Sequence, residues 1–298
     1  MSGDFRIDVC VIGHVTRDLV RDETGSVRAQ TGGAAYYGAT ALARLGLRVR
    51  LVTRLAGGDE DLLSELRGLG VAIERKPSAA TTVFEAAQTP RSSHRSYRAI
   101  SVADPFEPGD FADVAARAAM MDPLTRHENF ADVLAAAADA APIVALDVQG
   151  FVRKFLIPGV AEAMVRAARK GFSNLTIVKA DAAEAEAITG ESEPAAAARA
   201  LADLGPGEVI VTSGGEGSLV CAGNAITEIP AFRADPLVDP TGAGDSYLAG
   251  YLAARLEGQE PRDAARFGAA VASLKLSRAG AFAASRNDVE AMLVAHRG

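Results

Sequence analysis

The apolar positions of the chain come in short runs that alternate with longer amphipathic segments. Residues 7–12 form the first run, which ends at Gly13 as a buried parallel strand would. The spacing then predicts a helix over residues 34–45 that stops at Gly46, followed by a second strand over residues 48–56. Strands that alternate with helices in this way pack as a parallel sheet with helices on both faces.

The alternation becomes regular in the second half of the chain. The elements predicted there are a helix from about Phe111, a strand over 143–147, a helix over 158–170, a strand over 175–179, helices over 182–189 and 194–204, a strand over 209–212, and helices over 243–256 and 261–276. A last helix is expected after Ser285, whose spacing to Asp288 is that of a capping box. The pattern predicts an α/β fold in three layers, α/β/α, with a mostly parallel central sheet.

Two stretches interrupt this alternation. Residues 81–87 and 97–102 are rich in β-forming residues and are separated by Pro90 and its polar neighbours, a pattern typical of a hairpin. Residues 14–30, between the first strand and the first helix, are mostly polar. We therefore expect both stretches to lie outside the main run of strands and helices.

Residues 238–247 bring together glycines, an acid and the start of a helix. Gly242 and Gly244 permit a tight backbone path with peptide N–H groups turned outward. The helix over residues 243–256 would begin there, and a helix N-terminus is an anion site because its N–H groups are unpaired and its dipole is positive. Asp245, in the first turn, places a carboxylate beside that anion site.

This pairing of a carboxylate with an anion site suits phosphoryl transfer to an alcohol. Asp245 would act as the general base, and Gly242, Ala243 and Gly244 would hold the charge that builds on the phosphoryl oxygens. For any one of these residues taken singly, an ordinary helix N-cap or turn is the alternative.

Three predicted strands end in polar clusters, and ligands bind at the carboxyl ends of parallel strands. The clusters contain Asp147, Gln149 and Arg153, then Lys179, Asp181 and Glu184, then Thr212, Gly214 and Gly217. Asp147 and Gln149 would bind vicinal hydroxyls, since a carboxylate accepts and an amide both donates and accepts. Arg153 would face phosphate oxygens or form a surface salt bridge. The glycine-rich turn of the third cluster is also compatible with a plain hairpin.

Composition narrows the class of protein. With 298 residues, 49% hydrophobic and 23% charged, the chain is typical of a globular protein made of one large α/β domain with an appendage. A net charge of -7 argues against a nucleic-acid partner. No secretory signal or membrane-spanning run is visible, so we expect a cytoplasmic enzyme, monomeric or homodimeric, without a membrane partner. Cys10 and Cys221 lie in apolar runs, where Cys is usually a small buried hydrophobe.

The stretch Asp239-Pro240-Thr241-Gly242-Ala243-Gly244-Asp245-Ser246-Tyr247-Leu248-Ala249-Gly250 resembles the C-terminal signature of the ribokinase-like, or PfkB, family of carbohydrate kinases. Other motifs follow in the family's order over nearly the whole chain. The resemblance implies a single ribokinase-like domain over residues 1–298, with a small β-sheet lid from residues of about 15–31 and 81–102. It also implies ATP and Mg²⁺ as cofactors. A lid makes physical sense because water would otherwise accept the phosphoryl group.

The resemblance assigns further residues. It implies that Asp18 binds substrate hydroxyls and that Gly32 and Gly33 lie under the sugar. These three residues would form the substrate site together with Asp147, Gln149 and Arg153. The nucleotide would lie beside Lys179, Thr212, Gly214, Gly217, Gly280 and Ala281. Asp181 and Glu184 match an Asn-x-x-Glu motif tied to magnesium, here with Asp in the first place. Asp239 with the Gly280 loop would hold a monovalent cation such as K⁺.

The string Asp147-x-Gln149-Gly150-Phe151-x-Arg153 resembles the branch of the family that includes myo-inositol kinases. A second departure from the family is Tyr37, where many members have Asn; this tyrosine would stack on a flat six-membered ring or pack its helix against the sheet. We therefore expect phosphorylation of a small polyol or sugar, myo-inositol first. A nucleoside or sugar-acid kinase and a non-catalytic ligand-binding protein of the same fold remain alternatives, and a dehydrogenase is disfavoured because the dinucleotide glycine fingerprint is missing.

Overall fold

A computed structural model describes residues 6–21, 25–87, 96–111, 114–124, 130–152 and 171–296. Its strands are β1 (Ile7–Ile12), β2 (Thr16–Arg21), β3 (Val27–Gly32), β4 (Val49–Leu55), β5 (Ala72–Pro77), β6 (Val83–Ala87), β7 (Ser96–Ser101), β8 (Ala116–Met121), β9 (Val144–Asp147), β10 (Ile177–Asp181), β11 (Glu208–Thr212), β12 (Ser218–Ala222) and β13 (Ala225–Ile229). Its α-helices are α1 (Ala34–Arg44), α2 (Ser64–Gly68), α3 (Phe130–Ala140), α4 (Gln149–Val152), α5 (Ala182–Thr189), α6 (Pro194–Ala202), α7 (Ala243–Leu256), α8 (Pro261–Leu276) and α9 (Arg286–Ala295).

The main sheet has nine strands in the order β13-β12-β11-β10-β9-β8-β1-β4-β5. The pairs from β5 to β11 are parallel, and β12 and β13 are antiparallel additions at one edge. The mostly parallel sheet predicted from the sequence is therefore confirmed. Within the described ranges, no helix combines the length and the apolar character needed to cross a bilayer.

Both faces of the main sheet are covered. Val9 and Val11 of β1 belong to one apolar cluster, which they share with α1, α7 and α8. Cys10 and Ile12, the alternate positions of the same strand, belong to a second cluster with α3, α5 and α6. Since successive side chains of a strand point to opposite faces, the sheet lies between two layers of helices, as the pattern of apolar runs predicts.

A second sheet has four strands in the order β3-β2-β6-β7. It contains the two stretches that interrupt the alternation in the sequence, and β2 pairs with β3 antiparallel but with β6 parallel. Phe84 of β6 packs against Ala34 and Leu124, so an apolar contact joins this sheet to the main body. That this sheet acts as a lid stays a prediction.

The helix predicted from about Phe111 is wrong. A 3₁₀ turn ends at Phe111, β8 follows, and α3 begins only at Phe130. Residues 115–121 are mostly Ala and Met, which favour helices, but β8 is hydrogen-bonded between β1 and β9 and is almost wholly buried. Tertiary pairing here outweighs local propensity. The helix predicted over residues 158–170 lies outside the described residues.

Candidate active site

The backbone at the start of α7 forms a compact anion site. Gly242, the N-cap, has a left-handed conformation with φ of 78°, which glycine adopts without steric cost. The ring of Tyr37 lies directly against the α-carbon of Gly242, so any side chain there would collide with it. Asp245 follows in the first turn and is 8% exposed. The predicted general base and the predicted anion site are thus adjacent, with the positive end of the helix dipole beside the carboxylate.

Gln149 orients Asp245. The Gln149 Nε2 atom donates a hydrogen bond of 2.8 Å to Asp245 Oδ1, and both side chains are buried. Gln149 is the first residue of α4, directly after β9. A carboxylate that accepts from an amide is held in a fixed orientation.

Lys179 and Asp147 form an ion pair below the anion site. Lys179 Nζ lies 2.7 Å from Asp147 Oδ2, and the two side chains are 6% and 1% exposed. The ammonium also lies close to Gly244, where an added Cβ would come within 2.8 Å of Nζ. The neighbouring carboxylates of Asp147 and Glu184 outweigh the desolvation of Lys179 and hold its pKa above its usual value. This ammonium is therefore a fixed positive charge at the N-terminus of α7.

The second sheet supplies Asp18. The Thr16 hydroxyl donates to Asp18 Oδ1 at 2.6 Å, and the carboxylate lies against the α-carbon of Gly32 on the neighbouring strand β3. Asp18 is only 6% exposed, yet it lines the same cavity as Asp245. The Tyr37 hydroxyl is buried and has no hydrogen-bond partner among the described residues. Its pKa is raised, first by burial and then by the negative charge of Asp18.

Asp181 and Glu184 begin helix α5 as a capping box. Asp181 Oδ1 accepts from the Glu184 N–H at 2.7 Å, and Glu184 Oε2 accepts from the Asp181 N–H at 2.8 Å. Burial, followed by the charge of Asp147, raises the pKa of Glu184 to about 7. The part of the chain that the structure describes holds no cluster of three or more His, Cys, Asp or Glu side chains suited to a metal ion. A magnesium ion there would need phosphate oxygens and water as its other ligands, which is how Mg²⁺ usually binds.

Two adjoining cavities meet at Gly244. The first, of about 460 Å³, is polar and joins Asp18 of the second sheet to Asp245. Its other predicted site residues are Gly33, Asp147, Gln149, Lys179, Asp181, Glu184, Thr212, Gly214, Gly242 and Gly244. The second cavity, of about 780 Å³, extends from Gly217 to residues of α8. Its apolar lining is Ala231, Phe232, Leu237, Ala243, Tyr247, Ala269, Ala272 and Leu276.

The turn from Thr212 to Gly217 is both a hairpin and part of the cavity wall. It joins β11 to the antiparallel β12, and the Ser213 N–H donates to the Gly217 carbonyl at 2.8 Å. Thr212 and Gly214 line both cavities. The two interpretations of this glycine-rich turn therefore describe the same structure.

Four predicted site residues that the structure describes line neither cavity: Gly32, Asp239, Gly280 and Ala281. Gly280 and Ala281, expected at the nucleotide, and Asp239 lie together near the end of α8, where the Gly280 N–H donates to Asp239 Oδ2 at 3.3 Å. Ala281 is packed in the core. Arg153 lies outside the described residues.

Asp122 is a buried acid that sequence reasoning missed. It directly follows β8, and neither of its carboxylate oxygens has a hydrogen-bond partner among the described residues. Burial, followed by the charges of Asp245 and Asp147, raises the pKa of Asp122 well above its usual range. An acid at the end of a strand is a recognisable signal of a ligand site, but the residues of β8 predict a helix, so the sequence does not place Asp122 at a strand end.

The family follows from comparison with known proteins. A model described as pfkB family carbohydrate kinase matches residues 6–287. The chain therefore belongs to the pfkB family of carbohydrate kinases.

Individual relatives differ in how much they share with the chain. It is 42% identical to a nucleoside kinase of Methanocaldococcus jannaschii over 72 residues, and this match spans only about a quarter of that relative's length. It is 27% identical to an inositol 3-kinase of Arabidopsis thaliana over 282 residues, which cover 91% of this chain and 74% of the relative.

Among solved structures, a pyrophosphate-dependent kinase in the ribokinase family, complexed with a pyrophosphate analog and myo-inositol, superposes with a TM-score of 0.81 at 26% identity. The superposition covers 95% of this chain and 99% of that one. The ribokinase-like fold is confirmed by this likeness over almost the whole of both chains.

Proposed function

We propose that the protein transfers the γ-phosphoryl group of ATP, with Mg²⁺, to a hydroxyl of a small cyclic polyol, myo-inositol first. The observation that carries this proposal is the pairing of Asp245, oriented by Gln149, with the N-terminus of α7 in a cavity that Asp18 also lines. A base, an anion site and a substrate-binding carboxylate are the parts that phosphoryl transfer to an alcohol requires.

The transfer proceeds at the boundary of the two cavities. Asp245 accepts the proton of the substrate hydroxyl, whose oxygen forms a bond to the γ-phosphorus as the bond to the bridging oxygen breaks and ADP leaves. The N–H groups from Gly242 to Gly244 and the ammonium of Lys179 stabilise the charge on the transferring oxygens. Gln149 keeps the Asp245 carboxylate in one orientation for this proton transfer.

Magnesium would be held on the Glu184 side of the first cavity, through water. When bound, the ion neutralises phosphate charge and fixes the geometry of the phosphates. Glu184 and Asp181 supply carboxylates at the start of α5. The positive charge of a magnesium ion there would stabilise the ionised carboxylate of Glu184, whose pKa is raised. Few protein ligands are needed, because Mg²⁺ keeps several waters.

The second cavity favours a nucleoside triphosphate as the donor over pyrophosphate. Pyrophosphate ends at its second phosphate, whereas about 780 Å³ of mostly apolar space continues from Gly244 beyond the phosphate site. An aromatic base and its ribose need space of this kind, and apolar pockets with a few polar groups are typical nucleotide sites. The pyrophosphate-dependent structure that the chain resembles makes this choice worth testing directly.

Filling the second cavity should separate the two donors. Ala272 lines it from α8 and is half-buried, so Ala272→Phe places a ring where the base would lie. Because the ring would occupy the space of the base, we expect the KM for ATP to rise by about tenfold or more, which corresponds to a loss of roughly 1.4 kcal/mol of binding free energy. The melting temperature should change little. Steady-state kinetics with ATP and with pyrophosphate would measure this. Wild-type activity that is higher with pyrophosphate, or an unchanged KM for ATP in the variant, would contradict ATP as the donor.

The polar lining of the first cavity supports a polyol substrate. Asp18, Gln149 and Asp245 present acceptors and an amide in a cavity of about 460 Å³, and Phe84 and Tyr37 add aromatic surface. The structure changes one expectation for the substrate. Both carboxylate oxygens of Asp147 have protein partners, Lys179 Nζ and the Gln149 N–H, so the hydroxyl-binding role passes chiefly to Asp18.

Myo-inositol should be the preferred acceptor. We expect its kcat/KM to exceed those of ribose, fructose 6-phosphate, 2-keto-3-deoxygluconate and adenosine, with deoxy-inositols discriminated against steeply, because each missing hydroxyl strands a buried partner at a cost of roughly 1–3 kcal/mol. ADP release over this panel is the measurement. Adenosine ahead of myo-inositol by tenfold would favour a nucleoside kinase, and a better sugar acid would favour the sugar-acid branch; either result rejects the polyol and keeps the kinase.

The four-stranded sheet is proposed to act as a lid. Asp18 on β2 and Phe84 on β6 both line the first cavity, so the sheet must lie near the substrate for the site to be complete. A lid would keep water from the phosphoryl group. The sequence also predicts a potassium ion at Asp239, but there the described residues already supply a cation, Lys275.

A further inference from the structure

Lys275 is a fully buried lysine that the proposed mechanism does not use. It lies in the last turn of α8, and its side chain is 0% exposed. Its Nζ donates a hydrogen bond of 2.7 Å to the Asp239 carbonyl oxygen and lies 3.5 Å from Asp239 Oδ2. Lysine is rarely buried so completely without a specific partner, and here the partner is the residue that begins the loop to Gly242.

Asp239 anchors this loop to the rest of the site. Its Oδ1 accepts from the Thr241 N–H at 3.0 Å, and its Oδ2 accepts from the Gly280 N–H at 3.3 Å. Three residues beyond Asp239 lies Gly242, whose conformation forms the anion site. Any force that holds Asp239 in place therefore also positions the N–H groups that are proposed to bind the phosphoryl oxygens.

The surroundings of Asp239 attract a cation. The Val238 and Asp239 N–H groups both donate to the Leu276 carbonyl, at 2.8 and 3.2 Å, so the segment lies against the C-terminus of α8. A helix C-terminus carries the negative end of the dipole, and the Asp239 carboxylate adds a full negative charge. A buried arrangement of this kind is costly unless a positive group compensates it.

The residues present do not fit a bound potassium ion, although the family resemblance implies one at Asp239. A metal cation is bound by a set of oxygen ligands that turn their lone pairs toward it. The Asp239 carbonyl oxygen accepts from Lys275, and the carboxylate oxygens accept from Thr241 and Gly280. A potassium ion on the same oxygens would also lie beside the ammonium, and two like charges in a buried site repel strongly.

We propose that the Lys275 ammonium takes the place of a monovalent cation and positions the loop from Asp239 to Gly242. The positive charge is then part of the chain and is present at every salt composition. Lys275 is a positioning residue, since it acts on the phosphoryl oxygens only through the loop. The proposal rests on the proposed kinase function for its activity measurement and on a nucleotide donor for its ADP-binding measurement, but not for its measurement of stability.

The first experiment uses the wild-type protein. We measure its melting temperature, its affinity for ADP with Mg²⁺, and its kinase activity in KCl, NaCl and choline chloride at equal ionic strength. The ADP affinity and the kinase activity are each expected to differ by no more than about twofold among the three salts. The melting temperature is expected to be the same in all three within experimental error. Stimulation of ADP binding or turnover by potassium of fivefold or more would overturn the proposal.

The second experiment removes the ammonium in two ways. Lys275→Ala leaves space for an ion, and Lys275→Met removes the charge while filling the space. In choline chloride we expect both variants to bind ADP and turn over at least tenfold more weakly than wild type. In KCl or NH₄Cl, Lys275→Ala is expected to recover binding, turnover and melting temperature, whereas Lys275→Met is not.

The matched control is Lys76→Met. Lys76 on β5 also pairs with a carboxylate, Glu74, at 2.7 Å, but at the far edge of the main sheet. This variant should show neither loss nor cation rescue. Full ADP affinity and turnover in Lys275→Ala in choline chloride would overturn the positioning role, as would equal rescue of Lys275→Met. If both Lys275 variants fail to fold, the comparison of salts with the wild-type protein still tests whether a potassium ion acts at this site.

If no substrate is turned over, the kinase proposal fails, whereas ADP binding and the melting temperature still test the role of Lys275.

Discussion

Asp245→Asn is expected to lower kcat by roughly 10²–10⁴-fold while leaving ADP affinity within about twofold of wild type. The amide has the size of the carboxylate and can still accept the hydrogen bond that Gln149 Nε2 donates at 2.8 Å to Oδ1. It cannot accept the substrate proton, so only the proton transfer is lost. Steady-state kinetics with myo-inositol and calorimetric titration with ADP measure the two quantities.

The control for this variant is Gln149→Leu, which keeps the base but removes its orienting amide. We expect a smaller loss of kcat, because the carboxylate remains able to accept a proton but is no longer held in one orientation. Turnover of Asp245→Asn within tenfold of wild type would reduce Asp245 to a helix-capping residue and remove the basis of the mechanism.

Asp147→Asn is expected to lower the free energy of unfolding by about 3–5 kcal/mol, because it leaves the ammonium of Lys179 buried without its charged partner. The pair is separated by 2.7 Å and its side chains are 6% and 1% exposed. Burial to this degree distinguishes it from the surface ion pairs of the chain, which contribute little. The negative charges of Glu184 and Asp245 near Lys179 place the loss toward the lower end of that range.

The double variant Asp147→Asn with Lys179→Met is the control for this stability effect. Removing both charges should recover most of the lost stability, since neither partner is then left buried and unpaired. Denaturant unfolding of wild type, both single variants and the double variant gives the coupling energy of the pair. A loss below about 1 kcal/mol in Asp147→Asn would show that the pair does not stabilise the fold.

Most residues predicted for the first cavity do line it, but the structure changes the roles of some of them. Asp147 and Gln149 were predicted together as hydroxyl ligands, yet Asp147 pairs with Lys179 and Gln149 donates to Asp245. Their positions at a strand end explain why the sequence groups them in one cluster. Their partners lie 32 and 96 residues away along the chain, and no local pattern specifies which side chains meet over such separations.

The contacts of Tyr37 likewise could not be predicted from the sequence. From the sequence it would either stack on a substrate ring or pack its helix against the sheet. In the structure its ring lies on the α-carbon of Gly242, so α1 supports the loop that forms the anion site, and Tyr37 also lines the first cavity. A contact between α1 and the start of α7 joins segments about 200 residues apart, and its existence depends on how the two helices cross.

Local chemistry determined what the sequence alone could predict. Apolar runs that end in glycine predicted β1 and its neighbours, and a glycine-rich stretch with an acid predicted the start of α7, because hydrophobic periodicity and backbone freedom are properties of adjacent residues. The family assignment also follows from such a stretch and is confirmed. Only the tertiary structure decided that residues 116–121 form a strand, since sheet pairing with β1 and β9 outweighs helical propensity there. It likewise decided that Lys275 reaches Asp239, because a buried charge is stabilised by whatever group the fold brings within a few ångströms, and that distance is not encoded in any one segment.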